Sequence, residues 1–363
     1  MKETTILQSL VILALLWSVS ASGQPPEDVA GWYRLPSGET VLLTYAATGE
    51  WLLVHFDEPP FATHVRRSEE GTLVASKDGT QWRDAVRFAG PYQVKEVSFS
   101  NGEVSLSGTL LLPRASGSRA GAVFIHGSGT STRDNLWYLW IADRLARSGV
   151  AVLLPDKRGS GKSGGKWEVA SFPDLAADTA AGVAALRAAG GISRDGVGVI
   201  GVSQGGHIAP IVPTLAPDLA FIVSLSGSAV PLEEQLRLEL TNTLRQGWPD
   251  FLVPLIRPLA VRIVKRRQPL FWEKNGKLDP IHHWRALDIP ALVFYGAEDE
   301  RDNVPVTKSV ERLRAADAAD GEHEIEIVVY PDSGHALYAP GTRRIREDLL
   351  NKLVQWIHER TRK

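Results

Sequence analysis

Gly201-Val202-Ser203-Gln204-Gly205 is the stretch that decides the fold. It follows the apolar run Val197-Gly198-Val199-Ile200, which predicts a buried strand that turns sharply into a helix. Glycine is needed at both ends of the motif, because a side chain there would clash where strand and helix approach each other. Such a turn lifts the hydroxyl group of Ser203 out of the sheet, where an imidazole can reach it. Ser203 is therefore predicted to be a nucleophile, provided that the chain also supplies a base.

Candidates for the base and for its orienting acid follow Ser203 along the chain. His335, in Ser333-Gly334-His335, comes after the last predicted strand, and its imidazole can take the serine proton and return it to a leaving group. Asp299 comes just past another predicted strand, where a carboxylate would hold the imidazole in one tautomer. Asp302 is close by and stays open as the alternative acid. The order serine, aspartate, histidine distinguishes these residues from ordinary loop residues.

Backbone N–H groups that could stabilise an oxyanion are predicted on two segments. His126-Gly127-Ser128-Gly129 follows a predicted strand, and its small residues let the backbone approach a reacting carbonyl group. One donor is expected near Ser128 and the other at Gln204, directly after the nucleophile. The side chain of His126 is interpreted as a brace for this loop rather than as a reacting group.

The organisation of the chain predicts an α/β protein with two additions. Beyond residue 92, strand-like and helix-like segments alternate, which predicts a mostly parallel sheet with helices on both faces and a site at the carboxyl ends of the strands. Residues 232–284 interrupt this alternation with helical spacing and several prolines, and we expect them to form a helical cap over the site. Residues 24–91 contain short β-like runs between turns and predict a small β-rich module, which leaves residues 92–363 as the main domain.

Composition excludes several classes of function. The 363-residue chain has a formal net charge of −2, which argues against the basic face that nucleic-acid binding requires. It contains no cysteine, so disulfides, a thiolate nucleophile and cysteine-ligated metals are excluded. No histidine and carboxylate cluster has zinc-like spacing, and the glycine-rich residues 159–163 and 196–201 lack the strand-to-helix setting of nucleotide-binding loops. We therefore expect no metal, no cofactor and no nucleic-acid partner.

The first 23 residues have the order of a secretory signal peptide. Lys2 is followed by an apolar centre at residues 10–17 and by small residues at 20–23. The apolar centre is shorter than the roughly 20 residues of a membrane-spanning helix. We expect cleavage after Gly23 and a periplasmic or secreted mature protein.

Taken together, the motifs resemble those of the α/β-hydrolase superfamily, especially secreted bacterial esterases of its dienelactone-hydrolase-like and serine-aminopeptidase-like branch. The residues that carry the resemblance are His126 to Gly129, Asp156 to Ser163, Gly201 to Gly206 and Ser333 to His335. The resemblance implies an α/β-hydrolase fold and a serine hydrolase that cleaves small carboxylic esters through an acyl-enzyme, with Ser203, His335 and Asp299 as its triad. Ser203 stands where dienelactone hydrolases have cysteine, which favours ester chemistry.

Three alternatives to an esterase remain at this point. A peptidase or amidase, or an acyl thioesterase, would use the same triad, and a catalytically silent binding protein could share the fold. Within the cap segment, residues 251–267 are both apolar and basic, which is typical of a solvated helix face or of a contact with lipid at the site entrance. The oligomeric state does not follow from the sequence.

Overall fold

A computed structural model describes residues 30–48, 50–56, 62–67, 73–75, 81–82, 85–114, 119–320 and 324–361. The predicted signal peptide, residues 1–23, lies outside these ranges and stays a prediction. Among the described residues, no helix combines the length and the apolar character that crossing a membrane requires.

An antiparallel sheet of short strands forms the N-terminal part of the described chain. Its strands are β1 (Gly31–Arg34), β2 (Thr40–Tyr45), β3 (Trp51–Val54), β4 (Ala62–Arg67), β5 (Leu73–Ala75), β6 (Gln81–Trp82) and β7 (Val86–Phe88). They pair in the order β6-β5-β4-β3-β2-β1-β7, and each neighbouring pair is antiparallel. The predicted small β-rich module is confirmed as a sheet of this kind.

The larger sheet is mainly parallel. Its strands are β8 (Tyr92–Asn101), β9 (Val104–Pro113), β10 (Arg119–Ile125), β11 (Ala151–Pro155), β12 (Ile192–Val202), β13 (Ile222–Leu225), β14 (Ala291–Gly296) and β15 (Ile325–Tyr330). The order is β15-β14-β13-β12-β10-β11-β9-β8, with β10 to β15 parallel and β8 and β9 antiparallel at one edge. The central strands are almost fully buried, because helices cover both faces. The predicted α/β fold class is confirmed.

The described helices are α1 (Leu136–Arg147), α2 (Phe172–Ala188), α3 (Gly205–Ile208), α4 (Leu232–Arg245), α5 (Val253–Arg267), α6 (Pro269–Asn275), α7 (Ile281–Arg285), α8 (Val306–Asp320) and α9 (Glu347–Thr361). Helices α1 and α9 pack on one face of the large sheet, and α2, α3 and α8 pack on the other. Helices α4 to α7, hereafter the cap helices, come between β13 and β14, at the position of the expected cap.

The helix after Ser203 is shorter than the sequence pattern predicts. The sequence predicts that the turn at Ser203 leads into a helix, which the apolar pattern would extend to about residue 215. Instead, α3 ends at Ile208 and the chain continues as the 3-10 helix Ala209–Thr214. Pro210 and Pro213 explain the difference, because proline cannot donate the N–H that a regular helix needs.

The two sheets share one hydrophobic core. Trp32 of β1 is 2% exposed, and its ring contacts that of Tyr92 of β8 edge to face, with 5.3 Å between the centroids. The guanidinium of Arg147 in α1 lies 4.6 Å above the same tryptophan ring. A single cluster of buried apolar side chains extends from the small sheet to α1 and α9. The packing therefore has no break near residue 91.

A buried ion pair ties the loop after β10 to the end of β11. The guanidinium of Arg133 donates to Asp156 Oδ2 at 2.7 Å, to Glu96 Oε1 at 2.7 Å and to the hydroxyl group of Ser107. Asp156 also accepts the backbone N–H groups of Arg133 and Lys162, each at 2.9 Å. The charges of this pair are therefore matched and hydrogen-bonded, which a buried charge requires.

Replacing Arg133 by methionine should lower the free energy of unfolding by about 3–5 kcal/mol, because Asp156 would stay buried without its partner. Urea denaturation of the purified protein measures this loss. Lys162→Met is the matched control, since it removes a partly exposed cation that pairs with the same Glu96, and it should cost less than about 1 kcal/mol. Equal losses in the two variants would contradict the importance of the buried pair.

Candidate active site

Ser203 lies in a strained turn between β12 and α3. Its φ of +52° is in the left-handed region, which residues other than glycine adopt at a cost of about 1–3 kcal/mol. A Cβ atom at Gly201 would come within 2.3 Å of the carbonyl oxygen of Gly205. A Cβ atom at Gly205 would come within 2.3 Å of the carbonyl oxygen of Ile125. Both positions therefore require glycine, as the sequence motif predicts, because a Cβ atom at either one would clash with a carbonyl oxygen.

His335 and Asp299 form a hydrogen-bonded pair. Asp299 follows β14, its side chain is fully buried, and its Oδ2 lies 2.6 Å from Nδ1 of His335. The backbone N–H of Asn303 donates to the other carboxylate oxygen, Oδ1, at 3.2 Å. The backbone N–H of Asp302, the alternative acid, donates to the backbone carbonyl oxygen of Asp299 at 2.9 Å. The carboxylate that is hydrogen-bonded to the imidazole of His335 is that of Asp299. The arrangement leaves Nε2 of His335 as the nitrogen that can act as a base.

The carboxylates around His335 set its basicity. Burial acts to lower the pKa of His335, but the hydrogen bond and negative charge of Asp299 outweigh it. The charges of Asp302 and Glu239 act in the same direction as Asp299, and the pKa of His335 is raised above its usual 6.5. An imidazolium formed during proton transfer would be stabilised by these groups.

Ser203 and His335 are both anchored at the carboxyl end of β13. The backbone N–H of Ser203 donates to the carbonyl oxygen of Leu225 at 2.9 Å. The hydroxyl group of Ser226, the next residue, donates to the carbonyl oxygen of His335 at 2.8 Å. Two consecutive residues of one strand end therefore hold the turn of Ser203 and the loop of His335 side by side.

Two backbone N–H groups beside Ser203 are free, one on the loop after β10 and one on the residue that follows Ser203. The N–H of Gly127 donates to the hydroxyl group of Tyr138 at 3.0 Å, so it is not available to a ligand. In the described part of the chain, the N–H groups of Ser128 and Gln204 have no acceptor, and both residues line the cavity above Ser203. These are the two residues that the sequence predicted as oxyanion donors.

His126 braces this loop from within. Its Nε2–H donates to the carbonyl oxygen of Pro155 at 2.6 Å, and the hydroxyl group of Ser131 donates to its Nδ1 at 2.9 Å. Burial, only partly offset by the bond to Pro155, lowers the pKa of His126 to about 4. The imidazole is therefore neutral near pH 7 and serves to hold the loop.

Lys157 connects the two segments that carry the free N–H groups, and the sequence reasoning missed it. Its ammonium donates to the carbonyl oxygen of Gly127 at 2.6 Å and to Oε1 of Gln204 at 2.9 Å, and lies 5.1 Å from the ring centre of Trp167. Burial lowers the pKa of Lys157 to about 7. The signal in the sequence was a lysine two residues after the end of a buried strand, within a stretch interpreted as structural.

A cavity of about 290 Å³ lies above Ser203 and is lined in part by the cap helices. Its apolar walls are mostly contributed by the cap: Leu232, Leu236, Val264, Phe271 and Trp272, with Trp167 from the main domain. Glu239 of α4 is the one charged residue of the described lining, and burial raises its pKa. Sequence reasoning also missed Glu239, because nothing in a helical pattern shows which acid faces a cavity.

Metal ligands do not accompany these residues. Within the described ranges, no group of three or more histidine, aspartate or glutamate side chains is placed to hold a metal ion. The polar groups described near Ser203 are an imidazole, carboxylates and backbone N–H groups.

Comparisons with known proteins identify the family and relatives of the chain. The model of the alpha/beta hydrolase family matches residues 122–343. Esterase EstD of Thermotoga maritima is 22% identical over 350 residues, which cover 91% of this chain and 80% of the relative. The structure of the Pyrococcus furiosus esterase Pf2001 is 21% identical, with a TM-score of 0.53, and covers 76% of this chain and 94% of its own. The proline iminopeptidase of Mycobacterium smegmatis is 15% identical, with a TM-score of 0.52, and covers 74% and 99%.

Replacing Lys157 by methionine should slow the labelling of Ser203 by a fluorophosphonate probe by about 10- to 100-fold. The variant leaves the Gly127 carbonyl and the Gln204 amide without their shared donor, and a small displacement of a binding loop has effects of this size. Labelling rates measured against probe concentration test the expectation. Lys166→Met is the matched control, because Lys166 is an exposed lysine nearby, and it should label as the parent does. Unchanged labelling in the Lys157 variant would contradict the bridging role.

Proposed function

The chain belongs to the alpha/beta hydrolase family, and we propose that it is a serine hydrolase that cleaves carboxylic esters of small acyl groups through an acyl-enzyme. The observation that carries the proposal is the shared anchoring of Ser203 and His335 at the end of β13, with Asp299 bonded to the imidazole. The fold alone would not identify a reaction, because it supports many activities.

In the proposed mechanism, His335 Nε2 takes the proton of the Ser203 hydroxyl group as its oxygen attacks the ester carbonyl carbon. The carbonyl oxygen becomes an oxyanion, which accepts hydrogen bonds from the N–H groups of Ser128 and Gln204. The imidazolium gives its proton to the departing alcohol, and the C–O bond to the alcohol breaks. Water then attacks the acyl-enzyme by the same route in reverse, which releases the acid and restores Ser203.

The cavity supports an apolar acyl group. Six of its thirteen described lining residues are aromatic or aliphatic, so transfer of an alkyl or aryl group from water to that part of the wall is favourable. A volume of about 290 Å³ is at the lower end of the range for small-molecule sites, which favours short substrates. The relatives EstD and Pf2001 are named as esterases, which agrees with this preference. We also propose that the mature protein is exported, because residues 1–23 follow the order of a secretory signal peptide.

Glu239 favours a second candidate, the hydrolysis of aminoacyl amides. A carboxylate in an otherwise uncharged cavity could pair with the ammonium group of an aminoacyl substrate. The likeness to a proline iminopeptidase is compatible with such a reaction.

The parent protein should hydrolyse p-nitrophenyl esters of two to eight acyl carbons faster than it hydrolyses aminoacyl p-nitroanilides. Release of p-nitrophenol and p-nitroaniline measures both series, with Ser203→Ala expected to lower the ester rate by about 10⁴-fold or more. Glu239→Gln separates the two candidates: it should leave kcat/KM for neutral esters within a few-fold, and would abolish any anilide turnover that depends on an ammonium contact. Full ester turnover by Ser203→Ala would refute the mechanism.

The two candidate acids should differ in their effect on activity. Asp299→Asn should lower kcat by roughly 10³- to 10⁴-fold, because the imidazole loses its tautomer and its counter-charge. Asp302→Asn should keep most of the activity but shift the acidic limb of kcat/KM to lower pH, because one negative charge near His335 is removed. His335 acts as a base only when it is neutral, and its pKa is raised above the usual 6.5. The parent should therefore reach half-maximal kcat/KM above pH 6.5. A larger loss of kcat in Asp302→Asn than in Asp299→Asn would make Asp302 the acid.

A further inference from the structure

Large apolar side chains are exposed on one part of the cap. Of the ten large hydrophobic residues that are exposed in the described chain, six lie between residues 248 and 270: Trp248, Phe251, Leu255, Leu259, Ile263 and Leu270. Phe251 and Leu255 are 75% and 73% exposed. Scattered exposed apolar residues are ordinary, but a concentration of them marks a surface that binds something.

Four of these residues form a stripe that begins just before α5. Phe251 lies two residues before the helix, and Leu255, Leu259 and Ile263 follow at four-residue intervals along one face of it. The opposite face holds Val253 and Val261, which are buried, and Val264, which lines the cavity above Ser203. Folding and the cavity therefore use one face of α5, and the stripe is left to solvent.

Unpaired cations accompany the stripe. Arg262, Arg266 and Arg267 are exposed and take part in no ion pair among the described residues. Arg262 and Arg266 come three residues after Leu259 and Ile263, which places them on the same side of the helix. Helix α5 itself has no acidic residue, and its Lys265 is paired with Glu233 of α4 at 2.5 Å. We call this surface of stripe and arginines the α5 face.

We propose that the α5 face docks on an anionic lipid surface. Its apolar side chains would enter the boundary between headgroups and acyl chains, while the arginines pair with lipid phosphates. A second copy of the chain fits less well, because a symmetric contact on this face would bring the unpaired arginines of both copies together. A polar solvated helix, the simplest interpretation of the sequence, would not carry four exposed large apolar residues in line.

Docking would place α5 between the lipid surface and the cavity above Ser203. Val264 and Gln268, at the end of α5, line the cavity above Ser203, so one helix joins the proposed contact to the site. The proposal does not depend on the reaction at Ser203, and its test uses no enzyme activity. A failure of docking and a failure of the proposed ester hydrolysis can therefore be told apart.

Co-sedimentation with vesicles tests the proposal. The purified full chain should sediment with vesicles of phosphatidylglycerol and phosphatidylcholine, less with phosphatidylcholine alone, and less in 0.5 M salt. Leu255→Gln with Leu259→Gln, and separately the triple variant Arg262→Gln, Arg266→Gln and Arg267→Gln, should each lower the partition coefficient about 10-fold or more. All variants carry the same N-terminal residues, so differences between them report on α5.

Matched controls carry the same changes elsewhere on the surface. The triple variant Arg285→Gln, Arg314→Gln and Arg343→Gln removes three exposed charges, and Leu215→Gln with Val329→Gln removes two exposed apolar side chains. Both controls should bind vesicles as the parent does. Parent-like binding by the α5 variants, or equal losses in the controls, would overturn the proposal. The proposal would also be overturned if the parent did not bind vesicles and instead formed a dimer in light scattering that the Leu255→Gln, Leu259→Gln variant did not form.

Discussion

The close contact between Gly205 and the carbonyl oxygen of Ile125 is the constraint on which the site depends. It allows α3 to begin directly against the end of β10, and it forces the sharp turn that leaves Ser203 in the left-handed region. The same contact places the loop after β10 beside Ser203, where a Cβ atom at Gly127 would lie 3.4 Å from that of Ser203. One feature of the main chain thus positions Ser203 and the free N–H groups next to it.

Buried polar side chains then keep this arrangement rigid. His126 holds the loop from below as a neutral imidazole, Lys157 joins it to Gln204, and Arg133 joins its far end to Asp156. Each of these groups has lost water and is compensated by hydrogen bonds within the protein, which makes displacement costly. Preorganised donors are more effective in catalysis than donors that must reorient during the reaction.

Much of this could be predicted from the sequence, because parallel strands end at one edge of a sheet. Ser203, Asp299 and His335 each follow an apolar run, so their gathering at one edge required only the strand assignments. The choice between Asp299 and Asp302 did not follow, since both lie in the same short loop and only the folded turn separates them. Lys157 and Glu239 were missed for a related reason: the direction of a side chain depends on packing between segments that are distant in the sequence. The short length of α3 was missed because two prolines outweighed the helical pattern.

The packing of Trp32 has a consequence for the chain as a whole. This residue from the small sheet is sandwiched between Tyr92 and Arg147, and the hydroxyl group of Tyr92 in turn donates to the buried Asp143 of α1 at 2.6 Å. The small sheet therefore covers part of the core of the large one. A fragment that began at residue 92 would expose the ring of Tyr92 and the apolar surface around it to solvent, so we expect it to be less stable than the full chain.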